Sequence, residues 1–432
     1  MLPRPSQAPI VTADRSAGEV AHQLWQRLLA EPWPLPLAAL PPGTALVGGA
    51  IRDALLGRLA PQPDLDFVVE GDAITLARQL ARHHGGSAVV LDADHGIARL
   101  VVKGWNIDLA QRDGATLEAD LGRRDYTVNA MALPLPAGAG SPAGLVDPTG
   151  GLAHLQRHQL VAVSEANLLA DPLRLLRGIR LACSLEFSLE PTSQAWIERH
   201  ASQLSAVAGE RVLAELEKLA EAPAGERGLV LALRCGLVQG WRADAAAAPA
   251  LSALSQEQAQ RQGLLDAEVA WALPLARLSA LLPPEALMAL RSSRKLQQRC
   301  RALRRWRGEL EDAGGWTALA EPNRVALHRD LDGDLPALLL LLTQPPGNLL
   351  ERWRNPHDPL LHPRPPLDGR QLQQQLGIPA GPELGRLLDH LTLERAFGRL
   401  GDGPKERSTA LAAAQRWWMQ QKGSDGLDSR RD

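Results

Sequence analysis

Two aspartates separated by a single residue, Asp64 and Asp66, stand at the head of the apolar run LDFVV. In an extended strand, residues i and i+2 face the same side. Both carboxylates therefore project together, while Leu65 and Phe67 point to the other face. Carboxylates this close repel one another unless a cation lies between them. Hard oxygen donors at this spacing suit Mg²⁺ shared with the phosphates of a nucleotide. A pair of such ions can activate an attacking hydroxyl and stabilise a departing pyrophosphate. A solvated turn ahead of a strand would present the same letters, so the meaning of the pair depends on its neighbours.

Upstream, LVGGAIRDALLG (46–57) reads as a short strand, two glycines and an amphipathic helix. Gly48 and Gly49 let backbone approach a bulky anion, the helix N-terminus presents free N–H groups, and Arg52 on the first turn can reach phosphate oxygens. The same pattern also serves as a plain tight turn. In NIDLA (106–110), Asp108 interrupts an apolar strand and offers a third carboxylate, as a further ligand, a base for a hydroxyl, or a rim residue. The block RRDYTVNAMAL (123–133) is read as a helix with Asp125 and Asn129 on one face. Arg124 is suited to phosphate, and Asp125 or Asn129 to a ribose hydroxyl; helix capping by Asp125 beside two surface arginines is the other reading.

In ADPLRLLRGIRLAC (170–183), Asp171-Pro172 is a helix start, and Asp171, Arg174, Arg177 and Arg180 recur every three residues as a polar stripe. Such a stripe binds anions or is simply solvated. Asp171 accepts and Arg174 donates, one helical turn apart. Cytosine and adenine each present an amino donor beside a ring-nitrogen acceptor, whereas guanine and uracil present the opposite order. The pair is therefore expected to accept CTP or ATP and to reject GTP and UTP, which would leave buried polar groups unpaired.

These residues need a sheet to carry them. From about Thr44 to Gly150, short apolar strands (ALVGG, LDFVV, SAVVL, RLVV, NIDLA and GLVDP) alternate with helical segments at Ala50–Leu56, Ala73–His83 and Tyr126–Leu133. This is an α/β or α+β pattern. After Gly151 the chain is Leu- and Ala-rich at helical spacing, with a Pro-rich break at Asn355–Pro366. The first 20 residues read as a loose lead-in and GSDGLDSRRD as a disordered end.

The 432 residues carry 47 Lys and Arg against 49 Asp and Glu, a net charge of −2, so any nucleic-acid site must be a local patch. The densest basic segment, RSSRKLQQRCRALRRWR (291–307), sets Arg294, Arg301 and Arg305 on one side of a helix; it reads equally as a phosphate-binding or a solvated face. The 3 cysteines lie far apart without a CxxC pair, which points to buried thiols in a reducing compartment. No run approaches a membrane span and no apolar leader is visible, so a cytoplasmic protein is expected. The tryptophans read as packing residues. His357-Asp358 lacks a histidine cluster and is not read as a metal site.

In this order, GGAIRDALLGRLAPQPDLD, RRDYTVNAMA, DPTGG (147–151), ADPLRLLRGIRLA and GERVLAELEKL (209–219) resemble the class II tRNA nucleotidyltransferase and bacterial poly(A) polymerase family. LRSSRKLQQRCRAL and PLDGRQLQQQLGIPAGPELGRLLDHL resemble its body and tail. The resemblance implies an α+β fold: a DNA polymerase β-like nucleotidyltransferase head with a mixed sheet, then an all-α neck, body and tail in a seahorse-like shape. The boundaries expected are an N-terminal extension (1–40), head (41–150), neck (151–220), body (221–366), tail (367–420) and disordered end (421–432).

The resemblance also implies Mg²⁺ held by the catalytic Asp64 and Asp66. Gly49, Arg52, Arg124, Arg177 and Arg180 would contact the nucleotide, and Asp171 and Arg174 would select its base. The expected partners are tRNA, CTP and ATP, with no membrane. The expected activity is addition of C and/or A to tRNA 3′ ends, the alternative being a poly(A) polymerase acting on general RNA. Two departures stand out. Ala170 replaces the family's usual Glu before Asp171. Only GATLEADLG lies between LAQRD and RRD, where enzymes adding all of CCA carry a longer charged loop. The short connection implies a CC-adding enzyme, with a second nucleotidyltransferase completing the end.

Overall fold

The computed structural model describes residues 8–10, 15–136, 144–243, 245–343, 347–401 and 403–428. Its contacts divide the chain into two units, Met1–Gly240 and Trp241–Asp432. The first unit is built on a six-stranded sheet: β1 (Ala45–Val47), β2 (Leu65–Val69), β3 (Ser87–Asp92), β4 (Ile97–Val102), β5 (Trp105–Gln111) and β6 (Ala132–Pro134). Their spatial order is β3-β4-β5-β2-β1-β6. β2 and β5 run parallel, and every other neighbouring pair is antiparallel. The sheet is therefore mixed, as expected.

Helices α1 (Ala17–Leu28), α2 (Gly49–Leu56) and α3 (Ala73–His84) belong to this sheet region. Local chemistry sets their limits. Ser16 and Glu19 form a reciprocal capping box at the start of α1. The Asp72 carboxylate accepts from the N–H groups of Ile74 and Thr75 to open α3, and Gly85 closes it with φ 71°.

A short helix α4 (Leu117–Leu121), then α5 (Gly151–Gln156) and α6 (Glu165–Ala170), lead to α7 (Leu173–Leu185), α8 (Pro191–His200), α9 (Gly209–Glu221) and α10 (Gly225–Arg234). Two-residue strands β7 (Gln159–Leu160) and β8 (Ser188–Leu189) pair in parallel beside α7. α7, α9 and α10 pack closely: a Cβ at Gly228 would lie 2.5 Å from both Cys183 Sγ and Leu219 Cδ1.

Two expectations are corrected by the fold. Tyr126–Leu133 is not a helix; a single 3-10 turn, Thr127–Asn129, is followed by β6. Residues 130–133 are all buried, and β6 satisfies its backbone by pairing with β1, which overrides the helical propensity of Ala-Met-Ala-Leu. GLVDP contributes only an isolated bridge from Val146 to Ala132.

The second unit is helical, with no strand among the described residues. Asp266–Leu281 packs with Leu335–Leu341 and with Arg294–Ala313. Trp306 is fully buried and its indole N–H donates to Asp330 at 3.2 Å, a packing role. A separate core gathers Leu367, Leu372, Ile378, Leu387, Leu391 and Leu400 with Trp417 and Trp418 against it. The last helix, Glu406–Asp428, continues through part of the segment expected to be disordered, because an established helix adds residues without further nucleation; residues 429–432 lie outside the described set. The Asp358 carboxylate accepts from Arg352 and from the N–H groups of Leu360 and Leu361, so His357-Asp358 is a structured turn.

Candidate active site

The sheet brings the carboxylates together. Parallel pairing of β2 and β5 sets Asp66 directly beside Asp108, and antiparallel pairing of β4 and β5 sets Arg99 beside Asp108. Directly paired residues share a face of the sheet, so Asp66, Asp108 and Arg99 form a ladder across three strands. Arg99 holds Asp108 with two parallel hydrogen bonds, Nε to Oδ1 and Nη2 to Oδ2, each 2.8 Å. Asp64 lies just before β2 and is exposed.

Burial, followed by the charge of Asp108, pushes the Asp66 carboxyl up to about 6 from 3.8; Arg124 and Arg177 oppose this while Asp64 adds to it. Three carboxylates act at this point of the sheet, and their donors are hard oxygens. That set fits Mg²⁺. Among the described residues no three His, Cys, Asp or Glu side chains converge on a ready cage. Mg²⁺ needs none: one or two carboxylates with waters and substrate phosphates are its usual ligands.

The Gly48-Gly49 turn lies against this pair. Gly48 has φ 76° and ψ −138°, and a Cβ there would lie 3.2 Å from Asp66 Oδ2 and 3.8 Å from Arg124 Nη1. Glycine thus serves both backbone and space, and the start of α2 faces the carboxylate. Arg52 is fixed by Asp53 on two atoms (2.8 and 3.0 Å) and by Asn129 Oδ1 (2.7 Å). Arg124 leans on Asp120 at 3.2 Å.

Asp125 is buried and turned to Arg177, whose Nε lies 2.8 Å from Oδ2. Burial raises its carboxyl, but Arg177 and the Tyr126 N–H outweigh that and hold it below the usual carboxylate range. The expected proximity of Asp125 and Asn129 survives the loss of the helix, with Asn129 Nδ2 at 3.5 Å from Asp125 Oδ1.

α7 carries the three arginines of the stripe, and Asp171 lies just before it. Arg174 Nη1 donates to the carbonyls of Arg123 and Asn167, both at 2.9 Å, leaving Nη2 and Nε without described partners. Asn167 Nδ2 in turn donates to the carbonyls of Gly122 (2.8 Å) and Arg124 (2.7 Å). Tyr126 Oη donates to the Arg174 carbonyl at 2.9 Å, and a Cβ at Gly178 would lie 1.9 Å from that hydroxyl. Asp171 accepts from Leu173 N at 3.2 Å and from Arg211 Nη2 at 2.8 Å. Arg180 is turned to the buried Glu215 at 2.5 Å.

Gly48 and Arg124 thus lie against Asp66, Asp64 and Arg177 act on it through charge, and Gly49 and Arg52 lie in the adjoining first turn of α2. Asp171 lies just before α7 and Arg174 in its first turn, while Arg180 buttresses α7 against α9. Arg99, Arg211 and Glu215 escape sequence reading. A lone Arg in the apolar strand IARLVV is the only signal for the first.

The connection after β5 is short and tied down. Asp113 N donates to Asp120 Oδ1 at 3.0 Å, Thr116 caps α4, Arg123 pairs with Asp113, and Leu121 is fully buried. In the second unit, Arg294 and Arg301 are exposed, while Arg305 pairs with Glu309 and Asp330. All three cysteines are buried, and burial pushes the Cys235 and Cys300 thiols up to about 12 and about 11.

Residues 44–161 match the family described as the Poly A polymerase head domain, and residues 186–241 match the "Probable RNA and SrmB-binding site of polymerase A". The chain is 34% identical over 405 residues to a CC-adding tRNA nucleotidyltransferase of Synechocystis sp., covering 88% of this chain and 95% of that one. It is 40% identical over 208 residues to an A-adding tRNA nucleotidyltransferase of Deinococcus radiodurans, covering 47% and 46%. Its fold resembles that of the Bacillus stearothermophilus CCA-adding enzyme in complex with CTP, with TM-score 0.66, 24% identity and coverage of 95% and 98%.

Proposed function

The chain belongs to the tRNA nucleotidyltransferase family and is an enzyme that adds C and/or A to tRNA 3′ ends, and on that premise we propose that it is a CC-adding member using Asp64 and Asp66 to hold Mg²⁺. The observation that carries the subtype is the connection between Gln111 and Arg123. It is short and closed by its own hydrogen bonds, so it supplies no long mobile loop to switch the site from C to A. The 34% identity to a CC-adding relative over nearly its whole length supports the same reading.

In this mechanism the triphosphate lies against the Gly48-Gly49 turn and the start of α2, where N–H groups and Arg52 meet its oxygens. Arg124 and Arg177 balance charge next to Asp66. Arg180 holds α7 in place through Glu215. The Asp171 carboxylate accepts the cytosine amino group while the free Arg174 nitrogens donate to the ring nitrogen and carbonyl. Arg211 fixes the direction of Asp171, compensating for Ala170. Asp108, with both oxygens on Arg99, influences Asp66 through its charge. Mg²⁺, when bound, supplies Lewis acidity to the reacting phosphate and lowers the pKa of the RNA hydroxyl. The 3′ hydroxyl gives its proton to water as its oxygen attacks the α-phosphorus, the bond from that phosphorus to the bridging oxygen breaks, and pyrophosphate leaves. Arg294 and Arg301 of the second unit contact tRNA phosphates without reading sequence.

End-labelled tRNA lacking CCA, incubated with CTP, ATP or both, tests the reading. The expected product is two nucleotides longer with CTP, and the same length when ATP is added. Efficient completion to CCA would overturn the subtype, and long A tails on general RNA would overturn the substrate.

A further inference from the structure

The edge of the sheet opposite β6 is bare. Among the described residues β3 pairs only with β4, and three consecutive large apolar residues on it are exposed: Val89 at 51%, Val90 at 40% and Leu91 at 49%. Val89 and Val90 point to opposite faces, so the strand is apolar on both, and Leu91 is the extra residue where the register with β4 shifts. Edge strands normally carry Lys, Pro, a strong bulge or a covering element that discourages pairing with another chain. β3 has neither residue; its one irregularity is the register shift at Leu91, and among the described residues no other strand pairs with its outer backbone groups.

Charge is arranged along this edge with opposite signs at its two ends. At the Ser87 end lie Arg82 and His83 from the last turn of α3, with Lys103 in the turn between β4 and β5; all three are exposed. At the other end lie Asp92 and the exposed Asp94, with His95 held on Asp92 at 2.9 Å. A groove of about 470 Å³ lined by Arg78, Ala81, Arg82, Gly86, Ser87 and Ala88 opens beside the basic end.

From this pattern we propose that β3 pairs antiparallel with β3 of a second copy of the chain. Antiparallel pairing about a two-fold axis places the acidic end of each copy on the basic end of the other, so one strand's charge pattern is its own complement. The apolar centre, Val89 to Leu91, meets itself at the axis. A six-residue strand buries little area, so the dimer forms at micromolar concentrations and not as an obligate assembly. The pairing is independent of the catalytic chemistry, since neither β3 nor the end of α3 contributes to the site above.

Sedimentation of the full chain from about 1 to 100 µM tests the proposal. The wild type is expected to shift reversibly from monomer to dimer over this range. Val90→Lys, or Val89→Lys as a second variant, is expected to weaken dimerisation at least tenfold while retaining CTP incorporation, which confirms an intact fold. Asp94→Lys sets like charges face to face and is expected to weaken the dimer; adding Arg82→Glu to it restores opposite charges and the dimer. A wild type that stays monomeric at 100 µM overturns the proposal. So does a dimer unaffected by both valine changes, or an Asp94→Lys/Arg82→Glu protein no better associated than Asp94→Lys alone.

Discussion

Asp66→Asn is expected to abolish nucleotide transfer while making the metal-free protein more stable. In the fold this carboxyl is pushed up to about 6 from 3.8, chiefly by burial and by Asp108. A carboxyl whose folded pKa is raised contributes stability that is fully present below the unfolded pKa. That contribution is lost as pH rises through the folded value, because the folded state binds the proton more tightly. The rise from 3.8 to about 6 corresponds to roughly 3 kcal/mol lost between acid and about pH 8 without metal. Asparagine keeps the shape and cannot ionise. The variant should therefore exceed the wild type by about 3 kcal/mol at about pH 8, falling to roughly 1.5 kcal/mol at about pH 5. For a cooperative unit of about 200 residues the larger figure is a rise in Tm of about 6–12 °C. Thermal unfolding with EDTA at both pH values measures this. Added Mg²⁺ should raise the wild-type Tm and leave the variant unchanged. A variant no more stable than the wild type at high pH, or with the same advantage at both, would refute the account of Asp66.

Arg174→Ala should erode discrimination of CTP against UTP roughly ten- to hundredfold, the loss of a charge-assisted hydrogen bond, with Mg²⁺ affinity unchanged; competition assays among the four nucleotides measure it, and unchanged selectivity would sink the base-reading role. Arg99→Leu leaves Asp108 unopposed beside Asp66, so the acid limb of the pH profile for kcat/KM should move to higher pH; a stationary limb would dissociate Asp108 from the site. Gly178→Ala drives a methyl to within 1.9 Å of the Tyr126 hydroxyl unless one of them shifts. It should cost roughly 1–3 kcal/mol in urea unfolding, partly recovered by Tyr126→Phe; an unchanged midpoint would show that the two residues separate freely.

The chain's letters carry much of the head but not its adjacencies. Apolar runs disclose β1 through β5, and the glycines and aspartates between them disclose the first half of the site. That Asp66 lies next to Asp108 depends on β2 and β5 pairing in parallel, which no local pattern specifies. The residues leading into β6 read as helix because Ala130 to Leu133 are good helix formers; only the vacant side of β1 makes them a strand. Arg211 and Glu215 are 40 and 35 residues from the groups they hold, and their spacing on α9 looks like any amphipathic helix. Asn167 gives no sign of its role, since it bonds main-chain atoms rather than another recognisable side chain.

Main-chain atoms supply most of the grip around Arg174, one of the two residues proposed to read the base. Arg174 is positioned by the carbonyls of residues 123 and 167, and Asn167 and Tyr126 likewise grip carbonyls, those of residues 122, 124 and 174. A point mutation can replace a side chain but cannot remove a peptide oxygen. The jig that aims these residues is therefore written in the course of the main chain, insulated from drift at the residues that supply it. A lineage can rewrite the side chains at 123 and 124, or the loop before them, and inherit the placement of Arg174 intact.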